Sequence, residues 1–447
     1  MSLQFLQRTG LVLPNLRVIR WTSTLSRAPT PKPPVDYITL LRPLFTPNIV
    51  ALEILLRSPD DPIYQLFLDN YPSLCPNLKS IKLRFIHRLQ QHKAVSQVLS
   101  QTICSNTGWQ HVKLPLIDDV GLKHLGGCSN LKTVSLTLVP QTLRPNEACF
   151  GPEDTPFRSV SDLHLILWVP LDFVTCFLRP CDQFFHSFAV NLRTVTPNVA
   201  TKLSTLFTAL ASPQRLHSLQ SISVTQVDIS QRLHLLQSIS VTQIDISSDN
   251  RHDQPLSYET FRPLVSLVHL RKLFIDMKHP ASLNDKEFAD LVPNWPLLEE
   301  LQMTWMHGEN PVASVTLKGF LSLLTSCREL RTISLTLDAR DVPVMGTYAD
   351  VCNPSITNSI TFQNCPLKHP DLVAKFLLKH LPSIRRVVHG WSTPLTLGAP
   401  AVDPNVNLHS ESHYERLWHE VNRHMGYSVN EETYGAGRRP NPAVDFY

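Results

Sequence analysis

Aliphatic residues recur along the chain in a short phrase that is apolar at its first, fourth and sixth positions. Pro-Asn-Leu-Lys-Ser-Ile-Lys-Leu at 76–83 shows this phrase, with Leu78, Ile81 and Leu83 in the apolar positions. Side chains two residues apart on a β-strand lie on one face, so positions 4 and 6 predict a short strand that buries that face. Related phrases, spaced mostly by about thirty residues, begin at Leu16, Ile49, Trp109, Leu131, Val160, Leu192, Leu219, Leu236, Leu270, Leu298, Leu330, more weakly Thr357, and Ile384.

The segments between the phrases repeat their apolar residues at helical spacing. Asp61 and Pro62 predict one helix start, because Asp is a good N-cap and Pro suits the first helical position. Asn284 or Asp285 predicts another start. The expected helices have apolar residues within 63–67, 95–103, 199–210, 288–292, 317–324 and 372–377. A strand followed by a helix in each repeat predicts an α/β solenoid, with parallel strands on the concave face and helices on the convex face.

Three of the phrases also share a cysteine. CPNLKSIKL, CSNLKTVSL and CRELRTISL place Cys75, Cys128 and Cys327 three residues before the first apolar position. With this cysteine the phrases resemble the leucine-rich repeats of fungal F-box proteins, over roughly residues 11–391. The resemblance implies a leucine-rich repeat solenoid with irregular repeats. It also implies a function similar to that of the substrate-binding part of an F-box protein.

The F-box itself is not recognisable, because the first repeat strand already begins near Leu16. We therefore do not expect the chain to dock on a Skp-type adaptor. An alternative is a full substrate receptor of a cullin-type ubiquitin ligase whose F-box is lost or degenerate. A pull-down that lacks the adaptor and the cullin would argue against this alternative.

The expected domain organisation has four parts. They are a leucine-rich repeat solenoid at 1–391, a linker at 392–411, a C-terminal cap helix at 412–425 and a disordered tail at 426–447. Ser412 and Glu415 have the spacing of a capping box, and apolar residues follow at helical spacing. Such a helix is typical of the element that covers the end of a repeat array.

One stretch does not fit the repeat period. Residues 214–230 recur at 231–247, and the copies differ only at Ser218 against Leu235 and Val227 against Ile244. A copy of this length cannot hold a strand and a returning helix, because the shortest repeat class needs about 20 residues. Either both copies enter the sheet through a tight return, or one copy bulges out. A recent tandem duplication or a sequence-assembly artefact is favoured over a functional insertion.

Composition and charge narrow the classes of function. The formal net charge is +4, from 41 Lys and Arg against 37 Asp and Glu, which is too balanced to indicate nucleic-acid binding. No apolar run reaches the roughly 18 residues of a membrane span. Nine cysteines without CxxC spacing favour an intracellular location, in the cytoplasm or nucleus. The arginine-rich first 35 residues also resemble a mitochondrial transit peptide, although Leu16, Ile19 and Trp21 favour a repeat strand there.

The sequence shows no recognisable catalytic motif. The chain has only 14 glycines and contains no Walker, GxGxxG or GxSxG motif. His419 and His424 are five residues apart, so they lie on different faces of a helix rather than together on one metal ion. We therefore expect no catalytic residue, no metal and no cofactor. The alternative is a hydrolase in an irregular α/β domain, which requires titratable residues that converge in a deep cleft.

Positions 3, 5 and 7 of each phrase point away from the core, and in a solenoid they line the concave groove. Lys82, Arg84 and Lys113 are expected to be neighbours there, where like charges cost stability unless an acidic group meets them. We therefore predict a non-enzymatic scaffold that binds an acidic protein partner. Phe274 is a candidate apolar anchor. The predicted partner-binding residues are Arg20, Lys82, Arg84, Lys113, Phe274, Asp276, Gln302 and Thr304.

Overall fold

The protein has 447 residues, and its structure is a computed structural model. It describes residues 15–22, 44–56, 73–85, 92–138, 150, 156–167, 171–178, 181, 185–192, 198–211, 219–226, 255–277, 281–305, 315–343, 357–363, 365–384, 386–389 and 408–426. The chain divides into two compact units, Met1–Ala281 and Ser282–Tyr447. The described residues form an α/β fold with parallel β-sheet, which confirms the α/β part of the predicted fold class.

The first unit is built on parallel strands that follow one another in chain order. They are β1 (Val18–Thr22), β2 (Ala51–Leu56), β3 (Ser80–Phe85), β4 (His111–Leu114), β5 (Thr133–Leu138), β6 (Asp162–Leu167), β7 (Ser187–Leu192), β8 (Ser221–Gln226) and, after the two-residue strand β9 (Leu256–Ser257), β10 (Lys272–Met277). The helices are α1 (His92–Cys104), α2 (Asp119–Gly127), α3 (Leu171–Leu178), α4 (Val199–Leu210) and α5 (Tyr258–Phe261), followed by a 3-10 turn at Arg262–Ser266. The two-residue strand β11 (Ala281–Ser282) stands at the boundary of the units.

The repeated phrase explains these strands. In the third repeat Leu78 is buried just before β3, and Ile81 and Leu83 are buried within it. The polar residues between them face the other side of the sheet, as the period of two requires. Main-chain hydrogen bonds tie each repeat to the previous one: the N–H groups of Gln110 and His111 both donate to the carbonyl of Lys79, at 2.8 and 3.1 Å. The same paired contact recurs in the following repeats.

Neighbouring helices pack closely, as α1 and α2 show. Asp118 is the N-cap of α2, and its carboxylate accepts hydrogen bonds from the N–H groups of Val120 and Gly121. A Cβ atom at Gly121 would lie 2.5 Å from the Ser100 hydroxyl of α1, so glycine alone permits this approach. The sequence analysis did not predict α2, because its three glycines weaken the helical pattern. Within the described residues, no helix is both long and apolar enough to cross a membrane.

The second unit repeats this construction. Its parallel strands, in order, are β12 (Glu300–Trp305), β13 (Thr332–Leu335), β14 (Ser359–Phe362) and β15 (Val387–His389). Its helices are α6 (Asp285–Leu291), α7 (Leu317–Ser326), α8 (Pro370–His380) and α9 (Leu408–His424), with a 3-10 turn at Val292–Asn294. Asn284, one of the two predicted starts, caps α6, and it forms a capping box with Glu287. The Asp285 carboxylate accepts from the Thr316 hydroxyl and the Gly319 N–H, which joins the starts of α6 and α7.

Helix α9 packs against α8 and β15 at the end of the second unit. The Asn422 side chain is buried and bonds both main-chain groups of Val387: it accepts from the N–H at 2.8 Å and donates to the carbonyl at 3.0 Å. The Trp418 indole donates to the carbonyl of Cys365 at 2.8 Å. A helix was expected over 412–425. It begins earlier, so Ser412 lies inside the helix and the predicted capping box is wrong.

Cys75, Cys128 and Cys327 occupy equivalent buried positions before their strands. Burial raises the pKa of the Cys75 and Cys128 thiols to about 11 and that of Cys327 to about 12. The Cys327 thiol donates a hydrogen bond to the carbonyl of Trp295 at 3.4 Å. These contacts fit a packing role for the shared cysteine.

The phrase assigned to Leu192 is in the wrong register, because β7 begins at Ser187 and Leu192 ends it. Phe185, Phe188 and Val190 fill the buried positions of this repeat, and a search for aliphatic residues missed the two aromatic ones. The helix predicted to start at Asp61 lies outside the described residues, and so does the predicted tail after Gly426.

The duplicated stretch enters the sheet through its first copy. Strand β8 comes from 214–230 and pairs directly with β10, with Ile222 opposite Leu273 and Val224 opposite Ile275. Residues 231–247 themselves are outside the part of the chain that the structure describes.

Candidate functional site

One row of side chains crosses the first unit on the sheet face opposite the buried aliphatic residues. Register pairs connect it from strand to strand, so that each member is the direct neighbour of the next. We call it the central row. It consists of Arg20, Glu53, Lys82, Lys113, Ser135, His164, Ala189, Ser223 and Phe274. Apart from the exposed Arg20, these residues are half-buried.

The first three members form a charge cluster around a carboxylate. Glu53 accepts a short hydrogen bond from the Lys82 ammonium and lies 3.4 Å from the Arg20 guanidinium. The Lys82 hydrogen bond, which outweighs burial, lowers the pKa of Glu53, and the charges of Lys82, Arg20 and Arg84 act in the same direction. The cations were predicted from the sequence, but Glu53 was not. Counting from Ile49 puts Glu53 at position 5, the position of Lys82, so the same register could have found it.

Lys113 is the next member, and its surroundings are unfavourable for a charge. Lys82 is its register partner on β3, and Arg84 follows Lys82 on the same side of that strand. Burial, and then the charges of Arg84 and Lys82, lower the pKa of Lys113 to about 8, with Glu53 opposing. The expected neighbourhood of Lys82, Arg84 and Lys113 is therefore present. Among the described residues, no acidic side chain forms an ion pair with Arg84 or Lys113.

The neutral part of the face is held by hydrogen bonds between neighbouring strands. His111 Nδ1 lies 2.9 Å from the Thr133 hydroxyl, and the Ser135 hydroxyl lies 3.3 Å from His164 Nδ1. Burial lowers the pKa of His111, so its ring is neutral at pH 7. The sequence analysis did not select His164, although it stands at position 5 of its repeat like Lys82 and Lys113.

Phe274 ends the central row as its single large apolar residue. It pairs in register with Ser223 and remains partly exposed. Asp276, two residues further along β10, faces the same side and pairs with Thr225. The predicted anchor and the predicted carboxylate therefore lie on the same sheet face as the basic cluster.

Gln302 and Thr304 belong to the second unit, on β12. Gln302 is partly exposed and donates a hydrogen bond to the Thr304 hydroxyl at 3.4 Å. Thr304 is fully buried, which corrects its placement in an exposed groove. The last three residues of β12 are all buried, so the alternation of exposed and buried side chains stops before Thr304.

Comparison with known proteins adds no family or relative. No protein-family model matches the chain, and no curated protein matches it. The function is therefore inferred from the chemistry of the central row.

Proposed function

We propose that the chain is an irregular leucine-rich repeat solenoid and that it acts as a non-enzymatic scaffold for protein recognition. Its central row and the flanking residues bind an acidic segment of a protein partner. The repeated phrase, the parallel strands in chain order and the shared buried cysteine support the solenoid. Six described cysteines are free thiols, which fits the intracellular location expected from the sequence.

The observation that carries this proposal is the cationic pair of Arg84 and Lys113. Lys113 is half-buried beside Lys82 and Arg84, and the cluster holds four cations against the single carboxylate of Glu53. A desolvated cation beside other cations, as Lys113 is, destabilises the chain unless an anion meets it. An acidic partner supplies that anion and gains binding energy from it.

The length of the row limits the size of the partner segment. Lys113 and Phe274 stand five strand steps apart, and steps of about 4.8 Å separate them by about 24 Å. An extended peptide of about seven residues spans this distance. The proposed segment therefore carries acidic residues at one end and an apolar residue near Phe274 at the other.

A photo-crosslinking experiment tests the function. A benzophenone amino acid replaces Phe274 in the full chain, and the matched control carries it at Val120, which is 66% exposed on α2. Crosslinking in cells of the native host should capture a partner protein from position 274 and not from position 120. The crosslink should map to a segment of that partner that is rich in Asp and Glu. Equal capture at both positions, or a segment without acidic residues, would contradict the proposal.

The double substitution Arg84→Glu with Lys113→Glu should reduce this crosslink about tenfold or more, because both partners then carry negative charge. The matched control is Lys123→Glu, which reverses an exposed charge on α2. The measurement is the crosslinked fraction at equal protein level. An unchanged fraction in the double variant would remove the basic cluster from the recognition surface.

A further inference from the structure

Glu53 shows how this face holds a carboxylate. Its side chain sits between cations from the two neighbouring strands, bonded to Lys82 on one side and close to Arg20 on the other. One strand further along, Lys82 is already engaged by Glu53. Arg84 and Lys113 remain as a second pair of cations, and no described acidic side chain lies between them.

The groups that face Lys113 come from four neighbouring strands and from its own. The cations are on β3, carboxylates are on β2 and β6, and hydrogen-bonding groups are on β4, β5 and β6. They are Lys82, Arg84, Glu53, His111, Thr133, Ser135, His164 and Asp162. The Ser135 side chain is hydrogen-bonded to His164, and the Glu53 side chain is bonded to Lys82. Ser135 and Glu53 therefore already have partners. Asp162 acts on His111 and accepts from the Ser161 hydroxyl at 2.6 Å.

We infer that Arg84 and Lys113 bind a carboxylate of the partner between them, and that Lys113 takes up a proton as it does so. This inference rests on the proposed function and names the group that the basic cluster recognises. Long side chains on neighbouring strands reach a shared point from diagonal positions, so Arg84 and Lys113 can contact one carboxylate.

Proton uptake follows from the environment of Lys113. Burial and the nearby cations lower its pKa to about 8, so near and above that pH a large fraction of free protein has a neutral Lys113. A carboxylate beside the ammonium favours the charged form and raises this pKa again. Affinity is therefore highest below pH 8 and falls as the pH rises beyond it, because binding must then include a proton. Between pH 7 and 9.5 the carboxylates of a partner stay ionised, and His111 stays neutral.

The test uses the full chain and an acetylated, amidated hexaglutamate peptide at low, constant ionic strength. Isothermal titration calorimetry from pH 7 to 9.5, in buffers of different ionisation heat, measures affinity and proton uptake together. We expect affinity to fall about fivefold or more across this range, with proton uptake near pH 8.5. Circular dichroism and a thermal melt of each variant check that it is folded.

Three variants separate the roles. Lys113→Arg keeps the charge and should bind at every pH without the fall. Arg84→Gln should bind more weakly throughout while retaining the fall. Glu53→Gln frees Lys82 and Arg20 for the peptide, so it should bind the peptide more tightly than the unchanged chain and keep the pH dependence.

The contrary results are equally specific. If the affinity of Lys113→Arg still falls as the pH rises, another group takes up the proton and the inference is overturned. The inference is also overturned if the affinity of the unsubstituted chain does not change with pH. If the peptide does not bind while crosslinking at Phe274 still captures an acidic segment, the carboxylate contact is wrong and the recognition function stands. If both measurements fail, the proposed function fails with it.

Discussion

Glu53 and Lys113 lie two strands apart in the same row, and the basic cluster affects them in opposite ways. The cations lower the pKa of Glu53 and thereby stabilise its charged form, so that this stability is present above the ordinary glutamate range and is lost as the pH falls. The same cations, together with burial, lower the pKa of Lys113 and disfavour its charged form. At neutral pH the free protein therefore retains a residue that costs folding stability and is available for binding.

Replacing Lys113 by Met should stabilise the free protein at pH 7, by about 1 kcal/mol after allowance for solvent screening. Met keeps the aliphatic stem and removes the charge. The folded lysine is neutral above its pKa of about 8, whereas the unfolded one stays charged to about 10.4, so the gain should shrink between these values. Urea unfolding at pH 7 and pH 10, with Lys123→Met as the control, measures this. A Met variant that is less stable at pH 7 would contradict the assigned environment.

At the scale of elements, α9 closes the exposed edge of β15 through one side chain. Strand edges carry unpaired main-chain groups, and the Asn422 amide supplies one donor and one acceptor to Val387 in the manner of a further strand. The helical spacing around Trp418 predicted the helix, but no sequence pattern shows which of its polar residues turns inward. A search for apolar periodicity treats Asn422 as polar, like the exposed polar residues near it, and so cannot show that it is buried.

Asn422→Ala should lower the free energy of unfolding of the second unit by about 2 kcal/mol, because it leaves a buried N–H and a buried carbonyl without partners. The matched control is Arg423→Ala, at the exposed neighbouring position. Hydrogen exchange of the Val387 amide is the measurement, and faster exchange is expected in the Asn422 variant alone. Equal exchange in both variants would mean that the helix does not seal this edge.

The duplicated stretch offers a second comparison at this scale. Val224 of the first copy is fully buried in β8, and Val241 is its equivalent in the second copy. Val224→Asp should lower the melting temperature strongly, because it buries an unpaired charge. Val241→Asp, in the same local sequence, should leave it nearly unchanged. A tolerated Val224→Asp would show instead that the second copy replaces the first in the sheet.

At the scale of the whole molecule, periodicity predicted most strands and many helices, since the inward positions depend only on the spacing of aliphatic residues. It failed where another physical factor decided the outcome. Aromatic residues fill the seventh strand, glycines obscure α2, and both sides of β12 are buried around Thr304. The cations of the candidate site were predicted because they stand at outward positions of the repeat, Arg20, Lys82 and Lys113 at position 5 and Arg84 at position 7. The bond from Lys82 to Glu53 was not, because pairing depends on which strands are neighbours.

The three equivalent cysteines, Cys75, Cys128 and Cys327, can each report on local unfolding of the repeat that contains it. A thiol whose pKa is about 11 or 12 holds almost no thiolate at neutral pH, and its sulfur is closed off from solvent. Alkylating reagents can therefore reach Cys128 or Cys327 only after the surrounding repeat has loosened. The rate at which each sulfur is alkylated therefore measures how often that part of the chain opens locally. No label has to be added to the protein for this measurement.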